Sequence, residues 1–489
     1  MLFNSHIFML LFLPLLLAGW YFLNWKKKFQ LAQGYLIGMS LWFYAYANLQ
    51  YLWLLLFSCL IGWLLSCLPE KIFSKKGKKV LTGVGCVFHL GLLGYFKYSN
   101  FFLENLNTVF HTDFPMLQIL LPVGISFYTF QQLAYLIDRC RGDAPRDSFF
   151  DYLTFMVYFP QLLQGPILLR SEFMGQLKEP ERRRFHAERF SEGIQFFVFG
   201  LAKKVLLADT LAKAVNYGYS NVSMLDSISA LLLAVGYLTE LYFDFSGYCD
   251  MAVGLGKMIG LEVAENFDAP FHSASVKEFW RRWHMTLGRF FTRYVYIPLG
   301  GNRRGKMRTL CNVMIVMLLS GLWHGAAWTF VLWGFLHGVG MIWDNLEHPH
   351  LPKKWMRQAA TFAYVCMTFV FFRAESIAQG IDVLKSIVSL KWNGFVFQMA
   401  SALDMTECYM ITKALSMKLP GLLSWFWLGV FVVLIAICFR VLSGEKVSGV
   451  VALNRQKGYG RLYPVLLAVL FTWSMISMTG VSEYLYFSF

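Results

Sequence analysis

A long uncharged stretch near the middle of the chain constrains the fold more than any other feature. From Thr309 to Trp343 the sequence contains no Asp, Glu, Lys or Arg, and His324 lies near the centre. A continuous helix of that length would measure roughly 50 Å, well beyond the ~30 Å hydrocarbon core of a membrane. The stretch is therefore expected to break at the glycines beside His324, Gly321 and Gly325. An ionisable group at membrane depth is costly, so His324 is a candidate functional residue; the alternative is a histidine satisfied by a carbonyl in a helix bundle.

The composition is that of a membrane protein. Hydrophobic residues make up 57% of the 489 residues and charged residues only 15%, which predicts an all-α polytopic membrane protein. A net charge of +15 would suggest nucleic acid as the partner of a soluble protein. Here the basic residues cluster in short loops between apolar segments, so membrane lipids and not nucleic acid are the expected partner. The nine cysteines show no metal-ligand spacing, and no metal site is predicted.

The alternation of apolar segments and basic loops predicts about 11 spans plus re-entrant segments in a single transmembrane domain over residues 1–489. The first segment has no cleavage site and is followed by Lys26, Lys27 and Lys28, so the N-terminus is expected to be extracytoplasmic. By the count of crossings along the chain, the C-terminus is expected to be extracytoplasmic too. Three further regions are predicted, namely a catalytic core at about 120–345, an extracytoplasmic region at about 374–420 and a C-terminal tail at 480–489.

Three apolar segments between residues 117 and 208 receive specific predictions. Residues 117–137 are expected to cross the membrane, and a later span near 191–208 is complicated by Lys203 and Lys204 at its end. Residues 152–169 contain two prolines and a glycine and are expected to form a broken or re-entrant segment. Membranes tolerate such backbone only beside protein or a cavity, so Gln164 is predicted to line a cavity wall.

A basic and aromatic cluster surrounds His284. In helical geometry one face of residues 278–291 would carry the side chains of Trp280, Trp283, His284 and Leu287. Such a helix would turn His284 inward, while Arg281 and Arg282 could hold the phosphates of an anionic donor. The alternative is an interfacial anchor whose arginines neutralise lipid phosphates.

An acidic cluster precedes it, with Glu240, Asp244 and Asp250 at one end of an apolar segment. Acids this dense at a membrane end need partners, and pairing with Arg281 and Arg282 is the simplest prediction. Catalytic carboxylates are the alternative. Nucleophile-elbow, Walker and dinucleotide motifs are absent from the sequence. The remaining chemistry is a buried histidine acting as general base on a hydroxyl that attacks a thioester.

Several strings together resemble the membrane-bound O-acyltransferase family. They are FDFSGYCDMAVGLG (243–256), ENFDAPF (265–271), EFWRRWHMTLGRFF (278–291), YIPLGGNRRG (296–305) and SGLWHGAAWTFVLWGFLHG (320–338). The beginning of the chain and the string EYLYFSF (483–489) are similar to the bacterial polysaccharide O-acetyltransferase branch, which acts in alginate and peptidoglycan acetylation. The teichoic acid D-alanylation branch shares some of these motifs and is the alternative within the family.

The resemblance implies a ring of transmembrane helices around a central funnel. It matches His324 to the essential embedded histidine of the family and His284 to the second histidine of the same tunnel. It further implies acetyl transfer from a cytoplasmic thioester, with acetyl-CoA as donor and no permanently bound cofactor. Arg281, Arg282, Trp283, Gln164 and Asp244 are the predicted donor-binding residues. An extracytoplasmic partner resembling SGNH hydrolases is expected to complete transfer to the polysaccharide, because region 374–420 is too small for that domain.

Tyr486 lies in an aromatic ending that has two interpretations. The ending can be an interfacial aromatic anchor, or it can enter the outer funnel and carry the acetyl group on the phenol oxygen. The resemblance favours the carrier, with Ser488 and Tyr484 as alternative acceptors.

Proteins of two other classes also remain possible. A transporter can use a buried histidine, but paired repeats with broken helices, typical of that class, do not stand out in this sequence. A scaffold for polysaccharide export is the second. Transfer of label from acetyl-CoA separates both from an enzyme.

Overall fold

The chain is helical wherever the structure describes it. The computed structural model describes residues 1–47, 49–67, 75–346, 353–442, 446–457, 460, 462–478 and 484–485. Within these ranges there is no β-strand, and six helices are long and apolar enough to cross a membrane: Phe8–Trp25, Leu49–Cys67, Lys76–Phe110, Ser227–Ile259, Lys306–His324 and Pro420–Leu442. The prediction of an all-α polytopic membrane protein is confirmed.

The chain divides into two compact units. The first consists of Met1–Phe197, Cys249–Glu265 and Arg289–Pro298, and the second of Val198–Tyr248, Asn266–Gly288 and Leu299–Phe489.

In the first unit, most of the helices come from the first 200 residues. After the first two candidate spans and the Phe29–Ala47 helix between them, the helices are Lys75–Leu93, Gly94–Tyr98, Ser99–Phe110, Ile125–Arg141, Phe149–Val157, Phe159–Leu162, Arg170–Leu177 and Pro180–Arg183. The segment predicted to cross at 117–137 is helical only from Ile125. The preceding residues include Pro115 and Pro122, and Gly124 adopts a left-handed φ of 78° at the N-cap, so the helix starts late.

The proline- and glycine-containing segment of this unit is broken, as predicted. The helix Phe149–Val157 ends before Tyr158, a single turn follows at Phe159–Leu162, and residues 163–169 are not helical. Gly165 permits this path because a Cβ there would overlap the carbonyl oxygen of Pro160.

The second unit contains the candidate site. The helix Ala187–Ala202 enters it and continues as a π-helical turn at Lys203–Ala208 and as Asp209–Ser220. The long helix Ser227–Ile259 also passes through it. The remaining helices are Val276–Arg282, Met285–Phe291, Lys306–His324, Trp328–Leu346, Lys354–Arg373, Ile377–Val388, Phe395–Ser401, Tyr409–Lys418, Pro420–Leu442, Val447–Lys457 and Leu462–Ser477.

The uncharged stretch breaks where its length and glycines predict. One helix ends at His324, residues 325–327 are not helical, and the next helix begins at Trp328. The two helices pack as a hairpin through glycines. A Cβ on Gly321 would overlap the carbonyl oxygen of Phe330, and one on Gly334 would overlap that of Met317.

Adding a methyl group to this contact should destabilise the protein. We expect Gly321→Ala to lower the free energy of unfolding by about 1–3 kcal/mol, because backbone atoms cannot move aside as a flexible side chain can. Gly429→Ala is the matched control, since Gly429 lies in a helix with open space around its Cβ position. Thermal unfolding in detergent compares them; equal midpoints would contradict the packing described here.

Candidate functional site

His324 is buried among aromatic rings at the end of its helix. Its side chain is 3% exposed, and its ring centroid lies 4.9 Å from that of Trp323 and 5.2 Å from those of Trp333 and Phe372. Trp323 precedes it on the same helix, whereas Trp333 and Phe372 come from the next two helices. The sequence therefore places one imidazole in a water-poor aromatic environment, where electrostatic interactions are strong.

His284 lies at a break between two short helices. The helix Val276–Arg282 begins with a Ser275 cap, in which the backbone N–H of Glu278 donates to the Ser275 hydroxyl oxygen, and the next helix begins at Met285. His284 itself has a left-handed φ of 46°. The prediction that residues 278–291 form one helix with a shared face is therefore wrong. Trp283 and His284 are both buried because the chain turns between them and the following helix.

Hydrogen bonds fix the protonation state of His284. The Asn266 side-chain oxygen lies 3.2 Å from His284 Nδ1 and accepts from the Thr286 backbone N–H at 3.1 Å and the Thr286 hydroxyl at 3.0 Å. Because an amide oxygen only accepts, Nδ1 carries the proton and Nε2 presents its lone pair. Burial lowers the pKa of His284 to about 3, so the ring is neutral at physiological pH. Nε2 is buried and has no hydrogen-bond partner among the residues that the structure describes.

The two imidazoles share one aromatic cluster. The centroids of His284 and His324 are 6.4 Å apart. Phe245 packs edge-on against His284 at 4.8 Å, and Trp323 lies 6.0 Å from His284 and 4.9 Å from His324. Both predicted histidines are thus close enough to contact a single small group placed between them.

His337 also packs against Trp333, with ring centroids 4.8 Å apart. The Trp280 indole N–H donates to His337 Nδ1 at 3.2 Å, and His337 Nε2 lies 3.0 Å from the Thr368 hydroxyl. Since Nδ1 accepts, Nε2 carries the proton. Both ring nitrogens therefore have partners, in contrast to His284.

The arginines of the basic cluster do not pair with the acidic cluster, so that prediction is wrong. Arg282 contacts Glu278 one turn away at 3.0 Å and donates to the Asp268 carbonyl oxygen at 3.1 Å. Arg281 is exposed. Arg282 binds these partners rather than the acidic cluster because they lie in its own helix or in the loop that precedes it.

Lys204 is the partner of Asp244. Its Nζ lies 2.6 Å from Asp244 and 2.8 Å from Asp209, and the Lys204 and Asp244 side chains are only 2% and 1% exposed. The lysine that complicated the span near 191–208 is therefore neutralised within the protein. Glu240, one turn before Asp244, is also buried.

The other candidate residues are separate from this cluster or lie outside the described residues. Trp283 is 1% exposed and stacks on Phe279 with centroids 5.4 Å apart. Gln164 belongs to the first unit, where it is fully buried and neither side-chain amide atom has a partner in the described ranges. Tyr486 and Ser488 lie outside the described residues.

Two residues of the site were missed by the sequence reasoning. Asn266, which orients His284, stands in the string ENFDAPF but has no spacing that marks it as a histidine partner. Lys204 had a usable signal, since a lysine inside an apolar segment requires an acidic partner in a neighbouring helix.

Comparison with known proteins identifies proteins that are similar to this chain. A model of the membrane-bound O-acyltransferase family matches residues 141–380, which include both histidines. The chain is 35% identical to a peptidoglycan O-acetyltransferase of Helicobacter pylori, covering 80% of each chain. It is 39% identical to a probable alginate O-acetylase AlgI of Pseudomonas putida, covering 77% of this chain and 78% of the relative. A teichoic acid D-alanyltransferase of Streptococcus thermophilus is 28% identical over 49% of this chain and 58% of its own.

Proposed function

Because this chain belongs to the membrane-bound O-acyltransferase family and is an O-acyltransferase, we propose that it transfers acetyl groups from cytoplasmic acetyl-CoA across the membrane. The acceptor is a cell-envelope or exported polysaccharide, either peptidoglycan or an alginate-like polymer. The observation that carries the proposal is the buried His284–His324 pair, with ring centroids 6.4 Å apart. The activities named for the relatives that match about four-fifths of the chain support acetyl as the group transferred.

The chemistry requires one base near a thioester. His324 accepts the proton of an attacking hydroxyl as the oxygen forms a bond to the acetyl carbon. The carbon–sulfur bond then breaks, and the departing coenzyme A thiolate takes up the proton that His324 holds, which regenerates the base. Neutral His284 orients a donor group through Nε2, because its Nδ1 is held by Asn266. The aromatic rings exclude water that would otherwise hydrolyse the thioester.

We assign the binding of the acetyl donor to basic and aromatic residues near His284. Arg281 is exposed and available for donor phosphate, Trp283 supports the His284 turn, and Arg282 stabilises its own helix through Glu278. Gln164 belongs to the first unit, where its amide is buried without a described partner, and its role in donor binding stays a prediction. Asp244 already bonds Lys204 and a backbone amide of the tail through its two oxygens, so donor binding is not its proposed role.

Two arginine variants separate donor binding from stability. We expect Arg281→Ala to raise the KM for acetyl-CoA about tenfold with an unchanged unfolding midpoint, as removal of one charged phosphate contact would do. Arg282→Ala should lower the unfolding midpoint because it removes the contacts of Arg282 with the Glu278 carboxylate and with the Asp268 carbonyl oxygen. Steady-state kinetics and thermal unfolding, with and without acetyl-CoA, compare both variants; an unchanged KM in Arg281→Ala would remove that residue from the donor site.

The polysaccharide step is assigned to a partner outside the membrane. Residues 374–420 form short helices, and this length does not accommodate an SGNH-hydrolase-like domain. The same proposal includes a ring of helices, a central funnel and the outward transfer of the acetyl group. The match to teichoic acid D-alanyltransferase covers only half of this chain, which favours acetyl over D-alanyl transfer.

Label transfer tests the proposed function. Membranes containing the full chain are incubated with acetyl-labelled acetyl-CoA, and in parallel with a D-alanyl-charged carrier protein. Label from acetyl-CoA should appear on the chain and, with the partner present, on peptidoglycan fragments or alginate. If label came only from the D-alanyl carrier, the group transferred would be D-alanyl and not acetyl. If label came from neither donor, both acetyl transfer and D-alanyl transfer would be contradicted.

A further inference from the structure

Trp333 places an indole N–H in the aromatic cluster around His324. The Trp333 side chain is 0% exposed, and its Nε1 has no hydrogen-bond partner among the residues that the structure describes. An indole nitrogen can only donate a hydrogen bond, and a buried donor that lacks an acceptor is costly. Such donors are rare in folded proteins, so this one indicates an acceptor that arrives with a ligand.

The rings packed against Trp333 explain why its N–H lacks an acceptor. His337 lies 4.8 Å away between ring centroids, but its Nδ1 already accepts from the Trp280 indole and its Nε2 carries the proton. The rings of Phe369 and Phe372, at 5.5 and 5.1 Å, have no polar atoms. Aromatic faces are at most weak acceptors. The hydrogen bonds of His337 therefore leave the Trp333 N–H available to a bound molecule.

Acyl transfer needs a hydrogen-bond donor that the two histidines do not supply. When a hydroxyl attacks a thioester, the carbonyl oxygen acquires negative charge and is stabilised by donors already in place. His284 presents only a lone pair at Nε2, because its Nδ1 carries the proton and faces Asn266. His324 must accept the hydroxyl proton. Trp333 lies beside that base, with ring centroids 5.2 Å apart and an interplanar angle of 87°.

The helix hairpin holds Trp333 at a fixed distance from His324. Gly334 follows Trp333 directly, and Gly321 lies three positions before His324. These two glycines bring the helices together, since a Cβ on Gly321 would lie 3.3 Å from the Gly334 Cα. A donor held in this way needs no rearrangement when charge develops on the substrate, which is the condition for strong electrostatic stabilisation.

We propose that the Trp333 indole N–H binds the carbonyl oxygen of the acetyl donor and stabilises the oxyanion that forms there. The assignment rests on the proposed function, because it requires a thioester that is attacked beside His324. As the new carbon–oxygen bond forms, the carbonyl π electrons move to the oxygen and the hydroxyl proton moves to His324. When the carbonyl re-forms, the carbon–sulfur bond breaks and the thiolate takes that proton. Trp333 is a catalytic residue that keeps its own proton throughout.

Replacement of Trp333 by benzothienylalanine tests the assignment, because it exchanges the N–H for sulfur and keeps the shape of the ring. We expect it to lower kcat about 10²- to 10³-fold and to leave the KM for acetyl-CoA within about twofold. The unfolding midpoint should stay unchanged or rise, since a buried donor without an acceptor has been removed. The same replacement at Trp280 is the control and should lower the midpoint, because it removes the hydrogen bond to His337. Unchanged kcat, or a midpoint lowered as far as in the Trp280 control, would overturn the proposal.

Infrared spectroscopy tests the contact without turnover. In the full-length His324→Ala protein, a hydrogen bond from Trp333 should lower the carbonyl stretching frequency of bound acetyl-CoA that is isotopically labelled at the carbonyl carbon. Benzothienylalanine in place of Trp333 should remove this shift, and benzothienylalanine in place of Trp280 should not. Equal frequencies in all three proteins would overturn the contact. If the native chain transfers label from acetyl-CoA and the Trp333 replacement is fully active, the proposed function stands and this assignment alone fails. If the native chain transfers no label, the proposed function fails first.

Discussion

His324→Ala is expected to abolish acetyl transfer, with kcat reduced about 10²- to 10⁴-fold, the contribution typical of a general base. His337, on the next helix, cannot take over the proton, because both of its ring nitrogens have hydrogen-bond partners. Transfer of labelled acetyl from acetyl-CoA to the chain and to the polymer measures the loss. Wild-type transfer by His324→Ala would eliminate the general-base role.

Two companion variants distinguish chemistry from folding. His284→Ala should be severely impaired but less than His324→Ala, because an orienting group contributes less than the proton acceptor. His337→Ala should lower the unfolding midpoint, since it leaves the Trp280 indole without its acceptor. If His284→Ala behaved like wild type, the interfacial-anchor interpretation of the basic cluster would replace the present one.

Tyr486→Phe is expected to prevent polysaccharide acetylation while the protein still binds acetyl-CoA. The substitution keeps the ring and removes only the hydroxyl, so an aromatic anchor would be unaffected. A phenol becomes a competent nucleophile when a base takes its proton, and the aryl ester formed is reactive enough to pass acetyl to a partner hydroxyl. Tyr486 itself lies outside the described residues, whereas Tyr484 and Leu485, immediately before it in the sequence, contact Tyr248 and Asp244.

The acceptor is identified by locating the acetyl group. Single turnover without the partner should leave the acetyl group on the tail peptide, and fragmentation by mass spectrometry should place it on Tyr486. Ser488→Ala and Tyr484→Phe are the matched controls and should remain acetylated. Full polysaccharide acetylation by Tyr486→Phe would leave the tail with an anchoring role, and acetyl on Ser488 or Tyr484 would move the acceptor to that residue.

The break at His324 was predictable because it follows from one length comparison. An uncharged stretch too long for one crossing must turn, and glycines limit where it does so. The helical-face prediction around His284 failed for the opposite reason. Periodicity assumes an unbroken helix, but His284 adopts a left-handed φ that hydrogen bonds from a loop eighteen positions earlier stabilise.

The partner of the acidic cluster was predicted wrongly because the sequence does not show which opposite charge a given side chain will meet in the fold. Arg281 and Arg282 are the nearest dense positive charge after Asp244, yet the carboxylate binds Lys204, forty positions before it. Gly247 lets the helical segments that carry Lys204 and Asp244 approach each other closely. Contacts between helices depend on such spacing, which hydropathy and charge counts do not contain.

The left-handed backbone at His284 places backbone strain at the residue that is proposed to orient the donor. A residue with a β-carbon pays a conformational penalty at a φ of 46°, and asparagine or glycine would adopt that geometry more easily. Asparagine at 284 would relieve this penalty and remove the imidazole, so selection for heat resistance alone does not preserve the proposed donor-orienting group. A selection for heat resistance should therefore include a measurement of acetyl transfer in each round.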